Sequence, residues 1–384
     1  MKLSQNIIYN GNWESPLDPS LDSKNTVSFV FFHPDANLSN VVKEIKKILP
    51  NSHIVGCSGA GEIANNSLVD QKIIVTTAVF EKSQINSFSF KITNVSDCFK
   101  TGQQIAVAAR GKNLRGICVF SKGIEVNGSE LMSGIRSQIE PGVLISGGLA
   151  GDGTRFQSTQ VLHDQICSQD LVSVVAFYGE SLVMTAHAMG GWIPFGIERK
   201  VTSSKGNILY ALDDIPALEL YKEFLGEGAK KLPASALYFP LLLISKNLSG
   251  QKNIHNLVRT ILAVDDKNQS MTFAGDIPEG ENVRFMRSTE KSLLEAASLC
   301  AQACRDDLAK DSPILSIMVS CVGRRIVLGS STQDEVQRIF ELLPKQSLQT
   351  GFYSYGELAP GESNIGDLHN QTVTLTWIQE KKAA

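Results

Sequence analysis

The chain has little of what usually assigns a protein quickly. No apolar run approaches the roughly 20 residues a spanning helix needs; the nearest candidate, 238–244, contains Pro240 and gives way to Ser245-Lys246. The start, Met1-Lys2-Leu3-Ser4-Gln5-Asn6, offers no apolar h-region before a cleavage site, so a cytoplasmic location is expected. Charge of one sign is lacking as well. With 36 Lys and Arg against 39 Asp and Glu the net charge is −3, no basic block is present, and nucleic acid is set aside as a partner. The seven cysteines (Cys57, Cys98, Cys118, Cys167, Cys300, Cys304 and Cys321) are odd in number and lack CxxC spacing, which suits reduced, buried thiols. Cys300 and Cys304 would share a helix face, but two thiolates without a second pair make a poor zinc site. Catalytic signatures are missing: no G-x-S-x-G elbow, H-E-x-x-H, P-loop or kinase motif, and six histidines scattered singly. A binding protein is favoured over an enzyme; a hydrolase using Ser58 or Cys57 ranks last for want of a base.

What is present is a chain of 384 residues, 42% hydrophobic, enough for two cores. Apolar β-branched runs at 27–32, 52–57, 73–80, 116–120, 143–146 and 171–178 alternate with helical spacing at 38–49, 102–110 and 129–139. Further strands are expected at 257–264, 270–275, 314–321, 325–328 and 372–378, with helices at 288–308 and 333–342. The pattern predicts an α/β (α+β) fold with two domains, each a mixed sheet with packed helices. An N-terminal segment 1–24 precedes domains at 25–230 and 231–384. Gly226, Gly228 and Pro233 mark both the boundary and the expected hinge.

Glycine-rich turns follow strands at 56–61, 147–153 and 351–356, where glycine permits close backbone approach. The first and last share the frame G-x4-G-E-[I/L], ending in Glu62-Ile63 and Glu357-Leu358, and each precedes a strand containing Val-Thr. Divergent copies of one unit, related by a twofold, and coincidence are both open readings of this echo. The middle turn is no dinucleotide loop, because Thr154-Arg155-Phe156 leads to a strand rather than a helix. Glu62 and Glu357 could meet a ligand amine from a shared cleft, and Arg324, after an apolar strand, could offer a guanidinium fork to a carboxylate. Trp192, within Gly190-Gly191-Trp192-Ile193-Pro194-Phe195-Gly196, reads as a pocket wall or a packed corner. His369-Asn370 enters the last strand in polar company. His187, between Met184 and Met189, is the histidine best placed to face a haem.

These motifs together resemble the FIST family, a sensory module of N-terminal and C-terminal parts found in bacterial signalling proteins and some eukaryotic F-box proteins. The likeness rests on 56–63, 147–152, Gly191-Trp192 with Pro194 and Gly196, Ser320-Cys321 with Gly323-Arg324, 351–357, and His369-Asn370-Gln371-Thr372. It implies small-ligand sensing, with Ser58, Glu62, Gly148, Asp152, Trp192, Arg324, Tyr353, Tyr355, Glu357, His369 and Asn370 as the ligand-binding set. No length is left for a fused output module, so a separate partner such as a histidine kinase is expected. Stand-alone bacterial members include haem-binding nitric-oxide sensors. The resemblance therefore brings haem as a cofactor, with His187 as axial candidate, and an amino acid or related solute as the alternative ligand.

Overall fold

The structure, a computed structural model, describes residues 1–232, 234–245, 255–308, 312–360 and 366–381. Strand Thr26–Phe32 is buried along its whole length, so both faces must be covered, as its β-branched and aromatic content allows. Helix Ser39–Ile48 buries Val41, Val42 and Ile45 on one stripe and stops at Leu49, since Pro50 disfavours helical backbone in the residue before it. It delivers the chain to His53–Ser58, parallel to the first strand. There the chain leaves its own sheet. Hairpin Glu62–Ala64 and Ser67–Val69 pairs with the distant strand Leu348–Ser354. Only then does a closing strand, Ile73–Val79, return antiparallel to Thr26–Phe32, flanked by the leading strand Lys2–Tyr9.

The same course is run twice more. In the second unit the leading strand is Gln84–Lys91, the parallel pair Leu114–Ser121 and Leu144–Leu149 flanks helix Gly128–Arg136, and the closing strand is Leu171–Tyr178. Its hairpin, Val161–His163 with Ile166–Ser168, joins the first unit's sheet. In the third unit Leu182–Met189 leads, Leu315–Cys321 and Leu348–Ser354 are the parallel pair, and Val373–Glu380 closes. Its hairpin, Gly356–Pro360 with Gly366–His369, joins the second unit's sheet. All three sheets thus read hairpin, second strand, first strand, closing strand, leading strand. The fold is α+β with threefold internal repetition rather than a twofold: the turn at 147–153 belongs to the third copy, hidden because a loop at 152–159 separates it from its hairpin, where Val161 holds the place that Glu62 and Glu357 hold in the others.

Glycine marks each hand-over. At Gly147, whose φ is +129°, a Cβ would fall 2.0 Å from the carbonyl oxygen of Val119, and Gly56 and Gly351 stand equally close to Val30 and Met318. The three strands then bond around a ring, Ala60 N–H to Tyr353 O at 2.7 Å, Gly151 N–H to Ser58 O at 2.9 Å and Tyr355 N–H to Leu149 O at 3.1 Å. Inside it Phe31, Phe120 and Phe352 pack with centroids 5.5, 4.9 and 6.2 Å apart, in a core drawn from all three sheets. Burying each ring contributes about 1.5–3 kcal/mol. Helices cover the outer faces, Ser39–Ile48 on the first sheet, Cys98–Ala108 and Gly128–Arg136 on the second, and Glu290–Asp306 with Thr332–Phe340 on the third.

A separate antiparallel sheet is inserted into the third unit between its leading strand and helix Glu290–Asp306. It runs from Ile193–Lys205 to Asn282–Arg287, and its core, with helix Ala217–Leu225, is its own. Residue 230, where composition puts a boundary, falls inside this insert; Gly226 and Gly228 belong to its 3-10 turn and Pro233 lies outside the described residues. The backbone enters the insert at Gly190-Gly191. Gly191 has φ +73° and a Cβ there would sit 2.4 Å from Ser292 O. The stretch expected as strand at 325–328 is helix Val322–Leu328. Among the described residues no helix is long and apolar enough to cross a membrane.

Candidate functional site

The parallel strand pairs of the second and third units point their carboxyl ends at the insert, the place where open α/β sheets bind ligands. A cavity of about 1220 Å3 lies there. The body supplies the loop 123–127 after Leu114–Ser121, Leu149, Thr154, Phe156, Tyr355, and Cys321–Gly323 at the end of Leu315–Cys321. The insert supplies Asn207, Ser235, Leu237–Phe239, Thr260–Leu262 and Ala274–Asp276. The loop is fixed from below: Gly123 N–H donates to Thr159 Oγ1 at 3.0 Å, and Asn127 caps helix Gly128–Arg136 by accepting from Glu130 N–H at 3.0 Å. Asn127 also reaches across to Asp276 at 3.4 Å, linking body and insert at the rim. Behind the insert's wall, buried Arg259 donates to Asp276 O at 3.2 Å and to Leu368 O at 2.9 Å.

Of the residues expected to bind ligand, Tyr355 lines this cavity and Asp152 holds it there. Asp152 accepts the Tyr355 hydroxyl and the N–H groups of Phe156, Gln157 and Ser158 at 2.8, 2.9 and 2.8 Å. Burial pushes the Asp152 carboxyl up, but the Tyr355 hydroxyl and those N–H groups outweigh it and hold its pKa below the ordinary value. Phe156 stacks on Tyr355 at 4.5 Å and 18° while keeping 43% of its surface exposed, with φ at +52°.

The other candidates are not among the residues that line this cavity. Ser58 donates to Gly151 O at 2.7 Å and accepts from Gln160 N–H at 3.0 Å; with Cys57 buried and its thiol pushed up by desolvation and Glu62, neither is a poised nucleophile. Gly148 makes room in the central core, where a Cβ would meet Val319 at 2.6 Å. Arg324, expected to offer its fork to a ligand, is instead fully buried on Glu335, with Nε at 2.9 Å and Nη2 at 2.5 Å, and also donates to Leu293 O and Gly190 O. Tyr353 joins that cluster through Glu335 at 2.7 Å. Trp192 donates to Gln371 O at 2.7 Å in a packed corner, and buried His369 bonds Ala359 O at 3.1 Å. Asn370 is buried with no protein partner for Oδ1.

Glu62 and Glu357 do not face a shared cleft. They occupy equivalent places on two exchanged hairpins, in different sheets, and both are fully buried. Neither oxygen of Glu62 has a protein hydrogen-bond partner; burial and then Asp70 push its carboxyl well up, with Arg325 pulling back. Glu357 accepts from Ser354 Oγ at 2.6 Å and Thr372 Oγ1 at 2.9 Å, yet burial still lifts it to about 8.

Haem does not fit the residues found here. The described cavity lining holds no histidine or methionine, its sulfur is the Cys321 thiol that burial pushes up, and its one described cation for a propionate is Lys231. His187 lies elsewhere, on Leu182–Met189, its Nε2 2.9 Å from Asp307. Among the described residues no cluster of three or more His, Cys, Asp or Glu could hold a metal ion.

Sequence reasoning missed Phe156, Asn127, Thr260 and Asp276. For Asn127 a signal existed: Asn127-Gly128-Ser129-Glu130 is a helix-start pattern shortly after a strand.

A large cavity between the three-sheet body and the inserted sheet is the kind of concave site that takes up a small molecule. The FIST N domain matches residues 26–215 and the FIST C domain residues 217–360, so the chain belongs to the FIST family of small-ligand sensory domains. No curated protein matches it.

Proposed function

We propose that this chain is a sensor whose small ligand binds in the cavity between the three-sheet body and the insert, and which reports to a separate signalling protein such as a histidine kinase. The observation that carries the reading is the position of the cavity, where Asn127 and Asp276 meet from opposite sides and the carboxyl ends of four parallel strands converge. A ligand touching both walls binds one relative placement of body and insert better than others, and so shifts their equilibrium. The connectors at Gly190-Gly191 and before helix Glu290–Asp306 carry that shift to the outer face.

A free amino acid is small for this volume, and its carboxylate would lack Arg324, already held by Glu335. The haem alternative, nitric-oxide sensing, has His187 as its first axial candidate, and His187 lies outside the cavity; loss in His187→Ala of a Soret band present in the wild type would support it. The cavity reading is tested with Nile red, a neutral dye that brightens in apolar sites. Wild-type protein should bind it, and Ala274→Phe, which fills the cavity from the insert, should bind at least tenfold more weakly while still melting cooperatively. Equal binding by both refutes the reading.

A further inference from the structure

Phe156 presents an exposed phenyl ring from left-handed backbone, a strained conformation for a residue other than glycine. Something over-determines it. Asp152 accepts its N–H and those of the next two residues, and the same carboxylate fixes the hydroxyl of Tyr355 beneath it. The outcome is a two-ring stack at the cavity wall, with one face of Phe156 on Tyr355. The ring keeps 43% of its surface exposed, open to a partner at the cavity wall. Across the cavity the hydroxyl of Thr260, a residue 5% exposed, has no protein partner, and neither has Ser235 Oγ. A buried hydroxyl left unbonded is destabilising, and a ligand hydroxyl or N–H would complete it.

Resting on the cavity reading above, we propose that the ligand is a planar ring compound bearing a hydroxyl or N–H group, stacked on Phe156 and hydrogen-bonded to Thr260. The stack is a platform for a flat π-system, and flexible aliphatic molecules gain nothing specific from it.

The test uses displacement of Nile red from the full chain by 1-naphthol and 1-decanol, two alcohols of equal carbon count, one flat and one flexible. Naphthol should displace the dye at lower concentration. Phe156→Leu should weaken naphthol about three- to tenfold and leave decanol unchanged, and Phe156→Trp should restore it. Thr260→Val should weaken both alcohols alike. Nile red bound equally by wild type and Ala274→Phe would overturn the cavity reading itself. Nile red binding that decanol reverses as well as naphthol, or a Phe156→Leu effect equal on both, would overturn the ring platform while leaving the cavity standing.

Discussion

Replacing Glu357 by Gln should make the fold less sensitive to alkaline pH. The carboxyl is buried, with an ordinary value of 4.5 lifted to about 8 by desolvation, which outweighs Ser354, Thr372 and Arg324. Between those values the unfolded chain has released a proton that the folded one keeps, so stability falls as pH rises, by up to about 1.4 kcal/mol per unit. The contribution is fully present below the unfolded value and gone above the folded one. Glutamine imitates the protonated acid: Oε1 accepts from Thr372 N–H and Oγ1, Nε2 donates to Ser354 Oγ, and Ser354 donates to Ser320 O. The two proteins should therefore unfold at similar urea concentrations in mild acid, and the variant should be the more stable by several kcal/mol at mildly alkaline pH. Glu62 titrates in both and cancels in the difference. A gap between variant and wild type that does not change with pH would refute a proton on Glu357.

Removing one partner of the buried pair in Arg324→Ala should cost about 3–5 kcal/mol, because Glu335 is left charged without its counterion; a urea midpoint within error of the wild type would show the pair to be dispensable. Gly148→Ala should destabilise by about 1–3 kcal/mol through overpacking against Val319 and Phe352, read from the same titration. Gly191→Ala should cost about as much through its positive φ and its contact with Ser292 O, and scanning calorimetry should show the lower melting temperature.

The strand and helix content of the body was largely legible, since strands such as Thr26–Phe32 and helix Ser39–Ile48 carry unambiguous periods. The helix Val322–Leu328 was not, because Ile326-Val327-Leu328 reads as strand while packing of Gly323 against the Gln371 amide turns the chain there. Nor was the insert, whose antiparallel strands continue the same β-branched composition without a break. Two of three repeats showed through Glu62 and Glu357, which sit at the hand-over between sheets and away from the cavity. The cavity gathers residues as distant as Asn127 and Asp276, whose meeting depends on tertiary packing that no local motif announces.

The exchanged hairpins bear on synthesis. Hairpin Glu62–Val69 has no sheet to join until Leu348–Ser354 has been made, and Leu182–Met189 waits for Val373–Glu380, the last strand described. During translation the first two units would stand with unpaired strand edges, open to wrong partners. Contacts of such long sequence separation also slow the search for the native state. A fragment ending where the FIST N match ends, at residue 215, would lack the third sheet that takes up its first hairpin and the third hairpin that covers Leu144–Leu149. Domain limits drawn along the sequence are therefore not cutting points here: the ring of sheets cannot close until Val373–Glu380 has been made.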